Sequence, residues 1–246
     1  MNHRVCATVD VEDFAEGMAV LGHDVDQGAG AGDLGALLDL LTQQAAEARV
    51  TLFVVGRHAH RLHRVLSAFA SAGHEVACHG PDHGRLPDEG LVAWLRRGRE
   101  MVEQSVGMPV RGFRAPRFDL PSHGDLAAYR QQLAEAGFSY VSDTSALGPR
   151  SAVRELPVFV WHGLKLGGGS YQRLLPSAGV RWAARRSRGP VVLYYHSYDF
   201  DGSLPPLVGV RSFSVASQLV GRGRVAGCFS RLVACLGSET CAVAAG

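Results

Sequence analysis

Short apolar runs alternate with longer amphipathic stretches along most of the chain. Val, Leu and Phe dominate the short runs, which Gly, Pro and polar residues bound, a pattern typical of buried strands. The predicted strands are 4–11, 50–55, 75–78, 110–114, 138–142, 156–161 and 190–195. The predicted helices are 34–41 (capped by Asp33), 58–72, 87–106, 121–136, 171–186 and 215–236. This alternation predicts parallel βα units and an α/β fold.

The composition is that of a globular chain with a sizeable core. Of 246 residues, 46% are apolar and 20% are charged, which fits one large domain or two small ones. We find no internal repeat and no dividing linker, so a single domain over 1–246 is expected. It includes a last helix and a tail of small residues, from about residue 237, whose composition allows disorder. The net charge of +2 gives no reason to expect a nucleic-acid partner.

The sequence also gives expectations for the cellular location of the protein and for its binding partners. There is no signal peptide, and no apolar run is long enough to cross a bilayer, so a cytoplasmic location is expected. Five scattered cysteines argue against a disulfide framework. The basic run 181–188 predicts a solvated helix face, with an anionic substrate or peripheral contact with a membrane surface as alternatives.

His79 and His83 lie four residues apart, just after the third predicted strand. On one helical turn, this spacing would place the two imidazoles on one face, and two neighbouring imidazoles suit two ligands of one metal ion. Eleven histidines would give about 0.5 such pairs by chance, so the pair needs support from its surroundings.

That support comes from charged residues at the ends of other predicted strands. In a barrel of βα units, the chemistry lies at the carboxyl ends of the strands. The residues at these ends are Asp10, Glu12 and Asp13 (first strand), His79 and His83 (third), Arg114 (fourth), Asp143 (fifth) and His196 (seventh). The sequence therefore predicts that these side chains meet at one mouth.

A metal held by two imidazoles and a carboxylate, with one open position, activates water and polarises a carbonyl. Hydrolysis also needs a base and an acid. Asp10 is the candidate base and His196 the candidate acid. Arg114 would hold Asp10 ionised, and Asp143 would hold His196 in its tautomer and raise its pKa.

Five motifs in order resemble the NodB-homology polysaccharide deacetylases, carbohydrate esterase family 4. They are TVDVED (8–13), HGPDH (79–83), RAP (114–116), DTS (143–145) and LYYH (193–196). TLFVVG (51–56) and AGHEV (72–76) resemble the linking strands of the family. The exopolysaccharide or exosortase-locus type is the most similar variety, from DVED (10–13), RAPRF (114–118) and GGSY (168–171).

The resemblance implies a distorted (β/α)7 TIM-like barrel, a divalent metal that is usually Zn²⁺, and hydrolysis of an N-acetyl group from an amino sugar. It makes Asp10 the base, His196 the acid, and His79 and His83 metal ligands. Arg114 and Asp143 become their partners, and the backbone N–H near Arg117 would help stabilise the tetrahedral oxyanion.

The sequence departs from the family pattern at several places. The usual first motif has two adjacent aspartates, whereas here Val11 follows Asp10, so either Glu12 or Asp13 is the carboxylate ligand. The shorter side chain favours Asp13. Ala146 and Leu147 stand where an aromatic residue often follows the fourth motif. Ser197 replaces a frequent proline.

Further residues are candidates for substrate contact, although most of them could instead have a purely structural role. Trp161 could stack on a sugar ring or belong to the core. Gly167 to Gly169, with Tyr171 and Arg173, form either a cradle of backbone N–H groups or a flexible turn. His23 and Asp26, in a Gly-rich loop over 17–32, could close over the site.

The sequence thus predicts a metal-dependent de-N-acetylase that acts on an intermediate of polysaccharide biosynthesis. One alternative is hydrolysis of another non-peptide amide, such as a cyclic ureide or imide. The other is a non-catalytic sugar-binding protein of the same fold.

Overall fold

The protein is described by a computed structural model over residues 4–23, 34–44, 47–121, 125–144, 147–201 and 220–246. It divides into two compact units. The first spans Met1–Ala48 and Phe159–Glu239, and the second spans Arg49–Val158 and Thr240–Gly246. Asp26, Asp33 and Ala146 lie outside the described residues, so the expectations about them stay predictions.

The elements follow the predicted alternation of strands and helices. The strands are β1 (Val5–Val11), β2 (Val50–Val54), β3 (Glu75–Cys78), β4 (Gly112–Phe113), β5 (Tyr140–Val141), β6 (Arg154–Glu155) and β7 (Val191–His196). The helices are α1 (Phe14–Val20), α2 (Leu34–Gln44), α3 (Gly56–Ser71), α4 (Leu91–Val106), α5 (Leu126–Glu135), α6 (Gly169–Leu174), α7 (Ser177–Ala184), α8 (Val225–Leu236) and α9 (Cys241–Ala245). Short 3-10 helices lie at Pro116–Phe118, Gly148–Arg150, Ser197–Phe200 and Arg222–Arg224.

In the first unit, β1 and β7 pair in parallel, in a register that places Asp10 opposite His196. Every residue of β1 is buried, as its continuous apolar run predicts. Helix α8 packs its apolar face, including Phe229 and Leu232, into the core of this unit. This pairing places the carboxyl ends of the two strands, which carry Asp10 and His196, side by side.

In the second unit, five parallel strands follow the order β6–β5–β4–β3–β2. The last helix, α9, joins this unit through a buried polar network. The backbone N–H of Cys241 donates to Thr51 Oγ1 (2.8 Å), and that of Ala242 donates to Glu75 Oε2 (2.9 Å). Glu75 also accepts from the hydroxyls of Thr51 and Tyr140. Residues 241–245 of the tail, whose composition allows disorder, thus form a helix with backbone partners in this unit.

Three further predictions differ from the observed elements. The sixth strand lies at Arg154–Glu155 rather than 156–161, because Pro157 has no N–H to donate to a ladder. The predicted helix 171–186 is two helices, α6 and α7, separated at Pro176. The predicted loop from Gly17 is helical as far as Val20.

Gly17 is needed where it stands, because a Cβ there would lie 2.5 Å from Tyr198 Oη. The close approach of that hydroxyl explains a glycine in the interior of α1. Among the helices in the described ranges, none has both the length and the apolar character that a membrane crossing requires.

Candidate active site

Two histidines of the second unit lie side by side just after β3. His79 is buried and His83 is half-buried, and their ring centroids are 5.6 Å apart. The expected helical turn is wrong. The chain instead turns at Gly80, whose φ is +80° and where a Cβ would lie 2.6 Å from Trp94 Cη2. Glycine is therefore required at the turn that brings the two rings together.

The tautomer of His79 follows from its hydrogen bond. Its Nδ1 lies 2.9 Å from the backbone carbonyl oxygen of Arg114. A carbonyl only accepts, so Nδ1 carries the proton, and in the neutral ring Nε2 has the lone pair. Protein-bound metals commonly use a histidine that donates its other N–H to a carbonyl in this way. The residues present therefore fit a metal ion.

Arg114 is fully buried within the second unit. Its guanidinium lies over the ring of Phe53, 4.2 Å from the centroid, and Nη2 donates to Ser142 Oγ at 2.8 Å. The stacking and the hydrogen bond fix the plane of the guanidinium. Whether Arg114 holds Asp10 ionised stays a prediction.

Asp143 is part of a buried ion network that the sequence did not predict. Its Oδ2 lies 2.8 Å from Arg130 Nη2, and Nε of the same arginine donates to Glu155 Oε1, also at 2.8 Å. A buried arginine between two carboxylates holds both in fixed positions. The predicted action of Asp143 on His196 stays a prediction.

In the first unit, Asp10 and Glu12 are buried at the end of β1. Alternate residues of an extended chain share a face, so these two carboxylates point to the same side. The Tyr198 hydroxyl donates to the Glu12 carboxylate. Asp13 is half-buried and begins α1, where its backbone N–H donates to Glu16 Oε2 at 2.7 Å.

His196 ends β7 among carboxylates. Its Nε2 lies 3.8 Å from Glu12 Oε1, and its Nδ1 lies 3.5 Å from Asp199 Oδ2. The same Asp199 oxygen accepts the backbone N–H of His196 at 3.0 Å. The imidazole stacks in parallel on the ring of Tyr198, with 4.8 Å between centroids. The ring is thus fixed from its face and from both nitrogens.

The charges around His196 favour its protonated form. Burial by itself lowers the pKa of this histidine, but the hydrogen bond to Asp199 and the negative charges of Glu12 and Asp10 outweigh burial and raise the pKa to about 9. Burial would raise the pKa of Asp199, yet His196 and Arg173 lower it. A protonated imidazole at neutral pH is what a general acid requires.

Sequence reasoning did not find Asp199. Its second oxygen, Oδ1, is 3.0 Å from Nη1 of the buried Arg173, which fixes the carboxylate against His196. The available signal was the spacing, since an acid three residues after a residue that ends a strand suits the first turn of a following helix.

We expect Asp199→Asn to lower kcat by about 10²-fold, because the amide does not stabilise the protonated imidazole as the carboxylate does. The alkaline limb of the rate profile should move to lower pH, since the pKa of His196 falls. A profile with an unchanged alkaline limb would show that Asp199 only stabilises the fold, and Asp201→Asn is the matched control.

Three residues are predicted to contact the substrate, namely Arg117, Trp161 and Tyr171. Arg117 is exposed and has φ +62°, a strained conformation for a residue with a side chain. Trp161 is partly exposed and packs edge-on against Trp182, with 6.1 Å between centroids. Tyr171 is 40% exposed on α6. Their contact with a substrate stays a prediction.

The glycines 167–169 have a packing role. A Cβ on Gly167 would lie 2.6 Å from the carbonyl oxygen of Val192, and one on Gly168 would lie 2.9 Å from Tyr194 Oη. This segment therefore needs glycine to lie against β7. The cradle predicted to include Arg173 is wrong in that respect, because this arginine is buried on Asp199.

Each unit thus assembles part of the predicted site. The first brings together Asp10, Glu12 and His196, and the second brings together His79, His83 and the carbonyl of Arg114. The first group offers a base and an acid, and the second offers two nitrogen ligands.

Sequence models of two protein families match parts of the chain. Residues 21–141 match the sequence model of the family described as polysaccharide deacetylase. Residues 132–243 match a domain of unknown function, DUF3473. No curated protein matches the chain significantly.

Solved structures resemble nearly the whole chain. A Mycobacterium smegmatis protein assigned to the polysaccharide deacetylases has 22% identity and a TM-score of 0.59, over 97% of this chain and 92% of that one. A family 4 carbohydrate esterase from Streptomyces lividans, in complex with acetate, has 18% identity and a TM-score of 0.51, over 94% and 89%. A family 4 pseudoenzyme from Bacillus anthracis has 12% identity and a TM-score of 0.54, over 97% and 63%. These likenesses confirm the predicted (β/α)7 barrel fold class.

Proposed function

We propose that this chain belongs to the polysaccharide deacetylases of carbohydrate esterase family 4 and that it is a metal-dependent hydrolase. It removes N-acetyl groups from an amino sugar or saccharide. The exopolysaccharide type, and an intermediate of polysaccharide biosynthesis as substrate, are the finer parts of this proposal. The observation that carries it is the His79–His83 pair with the His79 tautomer set by a carbonyl.

The proposed ligands are His79, His83 and one carboxylate of the first motif. Glu12 is favoured over Asp13 because Glu12 is buried, lies on the same face as Asp10 and accepts a hydrogen bond from the Tyr198 hydroxyl. That these side chains share one metal ion is part of the proposal, and it follows from the resemblance of the five motifs to the family.

Two imidazoles and a carboxylate suit Zn²⁺ with an open position. A bound Zn²⁺ would lower the pKa of a water molecule and polarise the acetyl carbonyl.

The remaining residues move protons and hold charge. Asp10 takes the proton of the attacking water, and protonated His196 gives a proton to the leaving amine. Arg114 is the proposed partner of Asp10, while Asp199 and Asp143 are the carboxylates that position His196. The backbone N–H near Arg117 donates to the developing oxyanion. Trp161 and Tyr171 stack on sugar rings.

The proposal is tested by acetate release from N-acetylglucosamine oligomers by the purified chain. We expect turnover that a chelator abolishes and that Zn²⁺ restores, together with one bound zinc per chain. Zinc binding with turnover of a cyclic ureide, and none of the acetylated sugars, would identify the other amidase activity instead.

A non-catalytic role is the second candidate. It is favoured by one specific observation, that a protein of the same fold from Bacillus anthracis is named a pseudoenzyme. Saccharide binding without acetate release, with or without metal, would support this candidate and contradict the proposed hydrolysis. The cytoplasmic location stays a prediction of the sequence.

A further inference from the structure

Exposed apolar side chains are concentrated in one segment of the first unit. Among the described residues, nine large apolar side chains are exposed, and six of them lie within 23 residues of sequence. These six are Val160, Leu164, Tyr171, Leu174, Leu175 and Trp182. A concentration of large exposed apolar side chains is typical of a surface that binds a partner.

Ring contacts join the two ends of this segment. Trp161 lies in a tight turn with Leu164, where each backbone N–H donates to the other residue's carbonyl at 2.9 Å. Its indole packs edge-on against Trp182 of α7. Helix α7 buries Val180 and Ala183 and leaves Trp182 at 52% exposure. Apart from the candidate sugar contacts, the exposed large apolar side chains and arginines of this segment are Val160, Leu164, Leu174, Leu175, Trp182, Arg185, Arg186 and Arg188, and we call them the aromatic–arginine surface.

The charge of this surface has a single sign. Between residues 160 and 188 the sequence has one lysine and five arginines and no acid. Over residues 156–238, ten Lys and Arg stand against two aspartates, of which Asp199 is paired with Arg173. The exposed Arg185, Arg186 and Arg188 directly follow α7, and the Arg186 guanidinium lies 4.2 Å from the Trp182 ring centroid.

We propose that the aromatic–arginine surface binds the headgroup region of a bilayer that contains anionic phospholipid. Tryptophan, here Trp182, favours the membrane–water interface, because its ring is apolar and its N–H group is polar. Leucines at the same surface enter the acyl boundary, and arginines pair with lipid phosphates. A soluble polyanion would satisfy the arginines but would leave Leu164, Leu174 and Leu175 in water.

This surface belongs to the same unit as His196. Helix α6 carries Arg173, which holds Asp199, and also carries the exposed Leu174. Binding at the aromatic–arginine surface would therefore hold the catalytic end of β7 close to lipid headgroups. The proposal does not depend on the proposed hydrolysis, because binding to a bilayer is measured without any substrate.

The test is sedimentation of the full chain with vesicles of phosphatidylcholine, alone or mixed with phosphatidylglycerol. We expect binding only to the mixed vesicles, weakened by salt. Arg185→Gln with Arg186→Gln should reduce the affinity about 25-fold, or about fivefold for each arginine. The matched control is Arg64→Gln with Arg97→Gln, exposed arginines of the second unit, and should bind like the wild type.

Insertion is measured by quenching of tryptophan fluorescence with brominated phospholipid. Trp182→Phe and Leu174→Ala should reduce quenching and binding, whereas Met108→Ala, an exposed apolar control in the second unit, should change neither. The proposal is wrong if mixed vesicles do not bind the chain or if the arginine variants bind as the wild type does. Binding to heparin without quenching by lipid would identify a soluble polyanion as the partner and would equally overturn it.

Discussion

Replacing Asp10 with Asn should slow acetate release about 10³-fold while one zinc per chain stays bound. The carboxamide fills the same space at the buried end of β1, opposite His196, but it does not accept a proton from water. Turnover of N-acetylglucosamine oligomers and zinc content are measured on the same preparation, so that the two effects separate.

The matched control is Asp39→Asn, an exposed aspartate on α2 of the same unit. It should leave both rate and zinc content unchanged. If Asp10→Asn instead loses the zinc, Asp10 is a ligand and the roles of Asp10 and Glu12 are reversed. A variant with full zinc and full activity would remove Asp10 from the mechanism.

His83→Ala should lose both the zinc and the activity. The loss of a group that only orients a ligand costs about 10–100-fold in metal affinity, so removing a ligand should cost more than about 100-fold. Zinc affinity is measured by competition with a chromogenic chelator. The matched control is His60→Ala, an exposed histidine on α3 in the same unit.

The same titration identifies the carboxylate ligand. Glu12→Gln should weaken zinc binding as His83→Ala does, and Asp13→Asn should not. Reversed results would restore Asp13, which the sequence favours. Stoichiometric zinc in both His83→Ala and Glu12→Gln would refute the proposed metal centre.

The elements with continuous apolar runs were the easiest to predict. The first and last strands lie within one or two residues of their predicted bounds, because most residues of β1 and β7 are apolar and buried. Prediction failed where one residue changes the backbone. Pro176 divides a helix whose apolar spacing alone looks continuous, and Gly80 replaces the helical turn expected for the histidine pair.

For the site, the sequence predicted residue types at strand ends but not their partners. A charged residue at the end of a buried strand is visible as a break in the apolar pattern. Arg130 and Asp199 lie in polar stretches instead, where a buried ion pair and a solvated charge look alike. The spacing of Asp199 after β7 suggests a helical turn there, but only the fold shows that Arg130 and Asp199 are buried and which residues they pair with.

The place of helix α9 bears on how the protein folds as it is synthesised. Residues 240–246 belong to the second unit, although the whole of 159–239 intervenes. Thr51 and Glu75 therefore lack the amides of Cys241 and Ala242 until the ribosome has released that segment. We infer that the second unit completes its structure only after translation of the first unit has finished, so a nascent chain arrested near residue 158 would be held in an incomplete state.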